Sequence, residues 1–413
     1  MRHCACASKH GGALAANVIP GPCEWWCRCQ GETGPNRAEM ALLCRQLGGN
    51  RSGLALIDRF YFRASCHFSN VSRVPWYKTH LDVRDKGRKP RSEPQSSRVS
   101  ILRDPGVFVV DKMSRERICQ LLVENVVYLK GPLVAINKPQ GLSITGKEQE
   151  VSVSSLLADL QQHLGLGSDL HIVKAAPKES SGLVLLSTCH MTTKRLEDYY
   201  ALCRKAQKPT ASYCAVMAGV PHPAEGEIKA ALKLERIEDW QLVVPVTDPS
   251  KGRLERREIK RTLTRYKVLD SADGCALVQL QPMSAFFLFA VFQAQLLVHS
   301  TLMFCRILGD HTYSARVGKV LGENIFVPMD IALPRTQVLE ENVLRRMHFT
   351  QQQMHRMPLH LHFQQLMIPG ESPAEGDTFL DAPPPPFFQR TLQLLGLYAN
   401  KQLCSDRDTY TAK

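Results

Sequence analysis

At 413 residues the chain can hold one large domain or two ordinary ones, with ample length to bury a core. Its composition, 44% hydrophobic and 22% charged, is that of a globular protein, and a net charge of +13 favours a polyanionic partner such as RNA or an anionic membrane surface. The 14 cysteines form no pair of C-x-x-C hooks, which argues against zinc, and the later ones sit in apolar runs as reduced core residues.

The charge is uneven. Residues 1–110 carry 17 Lys and Arg against 8 Asp and Glu, so much of the basic balance belongs to the N-terminal extension. Residues 1–39 have no clear periodicity. From Met40 onward Arg45, Arg51, Arg59, Arg63 and Arg73 are spaced among Leu, Ala, Phe and Ser, with Asp58 the single acid before Asp82. That composition is expected of a mitochondrial transit segment, with a solvated basic tail as the alternative. Met40 is the expected working start, and the matrix the expected location. The charged, Pro- and Ser-bearing stretch that follows has no core-forming pattern. The expected organisation is an extension over 1–83, a linker over 84–110, a folded domain over 111–400 and a tail over 401–413.

Ser114 is placed to cap a helix whose Ile118, Leu121, Leu122 and Val126 share one face. Residues 133–137 read as a strand ended by the turn Lys138-Pro139-Gln140-Gly141, and 154–164 as a helix. An apolar run over 182–187 has buried-strand length, and 192–205 is helical by the recurrence of Leu196, Tyr199, Tyr200 and Cys203. Strands are expected over 212–217, 227–232, 241–246, 262–269 and 276–281, then a helix over 292–308, a strand over 359–367 and a last helix over 388–395. The apolar run 286–292 tempts a membrane reading, but Gln293, Gln295 and His299 follow it closely, so no membrane span is expected. Strands in runs with interspersed helices give an α+β class around a mixed, mainly antiparallel sheet.

Five segments in order resemble the RluA-type pseudouridine synthases. VAINKPQGL (134–142) is similar to that family's v-v-N-K-P-x-G-l, SSGLVLLS (180–187) to T-S-G-L-L-L-L-A, and SYCAVMAG (212–219) to K-x-Y-l-A-l-v-x-G. ILGDHTYS (307–314) resembles I-l-G-D-p-l-Y-g, and LHLHFQQLMIP (359–369) resembles L-H-A-y-x-L-x-f-x-H-P. The resemblance implies a pseudouridine synthase fold on an eight-stranded mixed sheet with flanking helices and a cleft. A target uridine of mitochondrial messenger or ribosomal RNA would be flipped into that cleft. No cofactor or metal is implied, and partners from RNA processing or ribosome assembly would fit.

The same resemblance assigns roles. Tyr213 falls on the family's active-site tyrosine, although a strand tyrosine also serves as a core residue. The nucleophilic aspartate falls on Pro177, and its arginine partner on Leu297, between matching Gln295 and His299. Losing both charges leaves a site that can fold, because neither is buried alone. Glu179 is the nearest substitute carboxylate. On an extended segment it faces the same side as Pro177, displaced by about 6–7 Å; its alternative is a solvated acid beside Lys178. Asp310 reads as a turn residue. The basic stretch 251–261, with Arg256, Arg257, Lys260 and Arg261, is either a phosphate-tracking strip or a solvated face. Two function classes stay open: an RNA uridine isomerase, and a non-catalytic RNA-binding protein on a synthase scaffold.

Overall fold

The computed structural model describes residues 109–146, 150–256, 258–283, 294–370 and 376–398, all within one compact unit, Gln95–Lys413. The transit-like segment, the linker up to residue 108, the run 286–292, Arg257 and the tail over 401–413 lie outside the described residues.

Helix α1 (Arg115–Glu124) starts where expected, with the Ser114 hydroxyl accepting the Arg117 amide at 3.2 Å. Strands β1 (Val126–Lys130) and β2 (Leu133–Lys138) form a hairpin. Helix α2 (Leu157–His163) leads to β3 (His171–Ala175) and β4 (Ser181–Ser187), then to α3 (His190–Lys205) and β5 (Ala211–Ala218). Two long strands follow, β6 (Glu225–Ile237) and, beyond β7 (Trp240–Val246) and α4 (Lys251–Glu255), β8 (Ile259–Ala272). Next come β9 (Cys275–Pro282), α5 (Gln295–Leu302), β10 (Arg306–Ile307), the hairpin β11 (Val317–Val320) and β12 (Glu323–Phe326), and α6 (Glu341–Arg346). The chain closes with β13 (Leu361–Ile368), β14 (Thr378–Asp381) and α7 (Pro386–Leu395).

The main sheet runs β1-β2-β4-β13-β5-β9-β8-β6-β7, with β3, β10 and β14 pairing alongside it. It has twelve strands rather than the expected eight: nine along this path and the three short strands that pair alongside it. One pair is parallel, β4 with β13; the other pairings are antiparallel. This is the mixed, mainly antiparallel sheet of an α+β protein.

The period of two along each strand divides the core by face. On β4, Leu183 and Leu185 join Tyr213, Ala215, Met217 and Phe363 under α3 and α5, whereas Val184 and Leu186 join Ile118, Leu122 and Leu160 of α1 and α2. Beyond them on that second face, Cys214 and Val216 meet Phe387 and Phe388 of α7.

Two expectations need correction. The helix expected over 292–308 is described as Gln295–Leu302. Its end is fixed locally: Ser300 and Thr301 donate their hydroxyls back to Leu296 and Val298 carbonyls, and Phe304 turns through φ +57. The chain can then pair as β10 with β5. The basic stretch is neither an open loop nor one strip. Residues 251–255 are the short α4, and Glu258 takes Arg253 at 3.2 Å and Arg256 at 2.7 Å.

Candidate active site

Two turns meet at the head of β4. After β2, Lys138 is buried, and its ammonium donates to the carbonyls of Ser180 at 2.9 Å, Pro139 at 3.0 Å, Leu142 at 3.1 Å and Lys178 at 3.4 Å. Gly141 N–H donates to the Lys178 carbonyl at 2.7 Å. Burial pulls the Lys138 pKa down to about 7, opposed by the nearby Glu179 charge. This lysine therefore clamps the loop that holds the family's nucleophile position. Its role was missed from sequence, where a Lys before Pro-x-Gly gave only a turn signal.

That loop is tight, not extended. The Ser180 N–H and hydroxyl both donate to the Pro177 carbonyl at 3.2 Å, closing a four-residue turn with Glu179 exposed near its tip. The same-side geometry expected for Glu179 does not hold, since it requires a strand. Pro177 itself is half-buried, directly after Ala176, which packs in the Tyr213 cluster.

The floor of the site is built by close backbone approach. Gly182 has φ +117, and a Cβ there would collide with the Phe363 backbone across the parallel β4–β13 pair. Phe363 stacks on Tyr213, ring centroids 4.5 Å apart and planes at 11°. Tyr213 is 3% exposed, and burial raises its hydroxyl pKa. Beside them His362 is neutral, its pKa lowered to about 4 by burial. Its Nε2–H donates to the Ala382 carbonyl at 3.0 Å, so Nδ1 accepts from the Ser181 hydroxyl at 2.9 Å.

Helix α5 lies over the same face. Gln295 Nε2 donates to Thr264 Oγ1 at 2.9 Å and to the Leu263 carbonyl at 3.1 Å. Thr262 gives its hydroxyl proton to Ala230 at 2.8 Å, so it accepts from His299 Nε2–H at 2.9 Å. The two matching residues of this segment thus anchor α5 to β8. Leu297, at the family arginine's position, packs against both the Tyr213 cluster and a second cluster around Tyr313 and Val243.

Asp310 is the buried carboxylate among the described residues. It accepts the Thr312 and Tyr313 amides at 2.9 Å each, and burial raises its pKa to about 6. Its amide bonds Ile307, which pairs with Met217, four residues along β5 from Tyr213. That places it roughly 13 Å along the strand from the tyrosine, a turn residue as expected.

Alternation divides the expected RNA strip. Lys260 shares the α5 face of β8 with buried Thr262, Thr264 and Tyr266, whereas exposed Arg261 points to the opposite face with Arg265 and Lys267. Arg257 lies outside the described residues. No cluster of His, Cys, Asp or Glu fit to hold a metal occurs among the described residues, and none of the described helices is long and apolar enough to cross a membrane.

The stacked Tyr213 and Phe363 lie on one face of the sheet and neutral His362 on the other, against Phe388, with neither a buried carboxylate nor a guanidinium at the two expected places. A family profile described as RNA pseudouridylate synthase matches residues 132–286. Mitochondrial mRNA pseudouridine synthase RPUSD3 of Homo sapiens is 49% identical over 286 residues, covering 69% of this chain and 80% of that protein. This chain belongs to the RNA pseudouridylate synthase family. The RPUSD3 of Bos taurus is 47% identical over 320 residues, 77% of this chain and 90% of its own. Among solved structures, Human RNA Pseudouridylate Synthase Domain Containing 4 matches with a TM-score of 0.53 and 25% identity, over 69% of this chain and 97% of that one. Within a pseudouridylate synthase, Pro177 and Leu297 are departures at the two charged positions that the family resemblance assigns to catalysis.

Proposed function

We propose that this protein is a mitochondrial matrix pseudouridine synthase that takes a uridine of messenger RNA against Tyr213 and isomerises it there. The observation that carries the reading is the Tyr213–Phe363 stack, held on the Gly182 approach beside the Lys138 clamp. That arrangement supplies a pre-formed platform for a flipped base. Close similarity to proteins named as mitochondrial mRNA pseudouridine synthases supports the substrate class. Glu179, exposed on the turn that starts at Pro177, is the carboxylate nearest in sequence to the missing aspartate.

Pro177 and Leu297 favour a second reading, an RNA-binding scaffold that supports mitochondrial messenger or ribosomal RNA without turnover. Removing a nucleophile costs a factor on the order of a million in rate and leaves binding behind. The deciding experiment incubates purified protein with transcribed mitochondrial RNA and assays carbon-linked uridine. Under the first reading wild type is active, and Glu179→Gln abolishes turnover while still binding RNA. Under the second, wild type is inactive and only Pro177→Asp combined with Leu297→Arg turns over. Wild-type activity unchanged by Glu179→Gln overturns the role of Glu179.

A further inference from the structure

Arg316 is 5% exposed and carries a full charge, yet among the described residues its Nε and Nη1 meet no hydrogen-bond partner and no carboxylate lies within ion-pair distance. Those two atoms hold three of the five guanidinium N–H donors. Burial lowers the pKa only to about 10, so the group stays cationic at neutral pH. A lone buried charge is among the least favourable arrangements a core can hold, and one that persists points to an absent anion.

The position is defined. Arg316 ends the short turn Ser314–Arg316, which follows Tyr313, and its carbonyl accepts from the amide of Val327, just past β12, at 2.8 Å. Tyr313 accepts the Val243 amide at 3.1 Å, which leaves its own hydroxyl proton available to an acceptor. Tyr313 packs with Val298 and Leu297 of α5, and Leu297 also packs against the Tyr213 cluster. Helix α5 therefore packs against both Tyr313, three residues before Arg316, and the Tyr213 cluster.

We infer that Arg316, with the Tyr313 hydroxyl, forms an internal oxyanion site that receives a backbone phosphate of the RNA whose uridine lies at Tyr213. The site rests on the function proposed above. It supplies phosphate recognition from a turn, and it contributes register, not base readout.

Wild type, Arg316→Met and Arg316→Lys are compared by melting temperature, with and without inorganic phosphate, and by affinity for a uridine-containing RNA across a salt series. Arg316→Met is expected to weaken RNA binding about ten-fold and to lower the salt slope by about one, while the ligand-free protein melts no lower than wild type. Arg316→Lys is expected to recover part of the affinity. Equal affinity and slope for wild type and Arg316→Met, with RNA bound, overturns the inference alone. A lower melting temperature for ligand-free Arg316→Met overturns it too, because the arginine then has a partner within the fold. If inorganic phosphate stabilises wild type while RNA affinity ignores Arg316, the ligand is free phosphate. No RNA binding by wild type overturns the proposed function itself.

Discussion

Three buried histidines set the acid limit of this fold. His299, His360 and His362 are held neutral by burial, with pKa values lowered to about 3, 4 and 4. In the unfolded chain the same groups titrate near about 6.5. Between those values the unfolded state binds more protons than the folded one, so stability is present above pH 6.5 and is lost as pH falls toward 4. Melting temperature should therefore drop steeply between pH 6.5 and 4. His362→Gln should flatten that dependence while weakening the Ser181 and Ala382 contacts. An unchanged slope would mean that His362 is charged in the folded state. The family resemblance singled out Tyr213, Pro177 and Leu297, and the structure places Tyr213 in a buried stack with Phe363. The turn at Pro177 was not legible in the sequence, because its geometry depends on a lysine about 40 residues upstream. Arg316 was equally hidden, since burial without a partner leaves no mark in a sequence.

Strand alternation decides which basic residues can act together. Lys260 and Arg261 are neighbours in sequence but stand on opposite faces of β8, and Arg253 and Arg256 are drawn to Glu258. Lys260→Gln should weaken RNA binding, because its face is the one that α5 and Tyr213 share; Arg261→Gln should leave affinity nearly unchanged. RNA affinities of the two single variants at one ionic strength check this, and a larger effect from Arg261 would move the RNA path to the far face. At this scale most elements were legible in order, from the Ser114 cap to the last helix. The shortfalls were long-range in origin. The residues of α5 have apolar helical character past Leu302, but pairing of Arg306 and Ile307 with β5 wins over helix extension. The residues of β6 and β8 support each other over nine paired positions, so both strands outrun their local apolar pattern.

For the molecule as a whole, the sheet and family were legible because five motifs recur in one order, and each lies on an element that lines or supports the Tyr213 face. The N-terminal extension is a matter of composition. Residues 40–110 fused to a reporter should carry it into mitochondria, given the Arg-rich, acid-poor stretch there. Diffuse cytosolic fluorescence would defeat that assignment. Net charge is a poor guide to the Tyr213 face, since so much of it precedes residue 111.

The parallel pair β4–β13 joins Ser181 to His362, and β13 lies in the middle of the sheet between β4 and β5. A ribosome delivers β4 and β5 long before that central strand exists. Until it emerges the nascent chain carries two unfilled sheet edges, the kind of surface that recruits chaperones or aggregates. Closure across so long a loop is entropically slow. The aromatic stack comes into being only with that insertion, so any message truncated before Leu361 encodes two open half-sheets and no Tyr213–Phe363 pair at all.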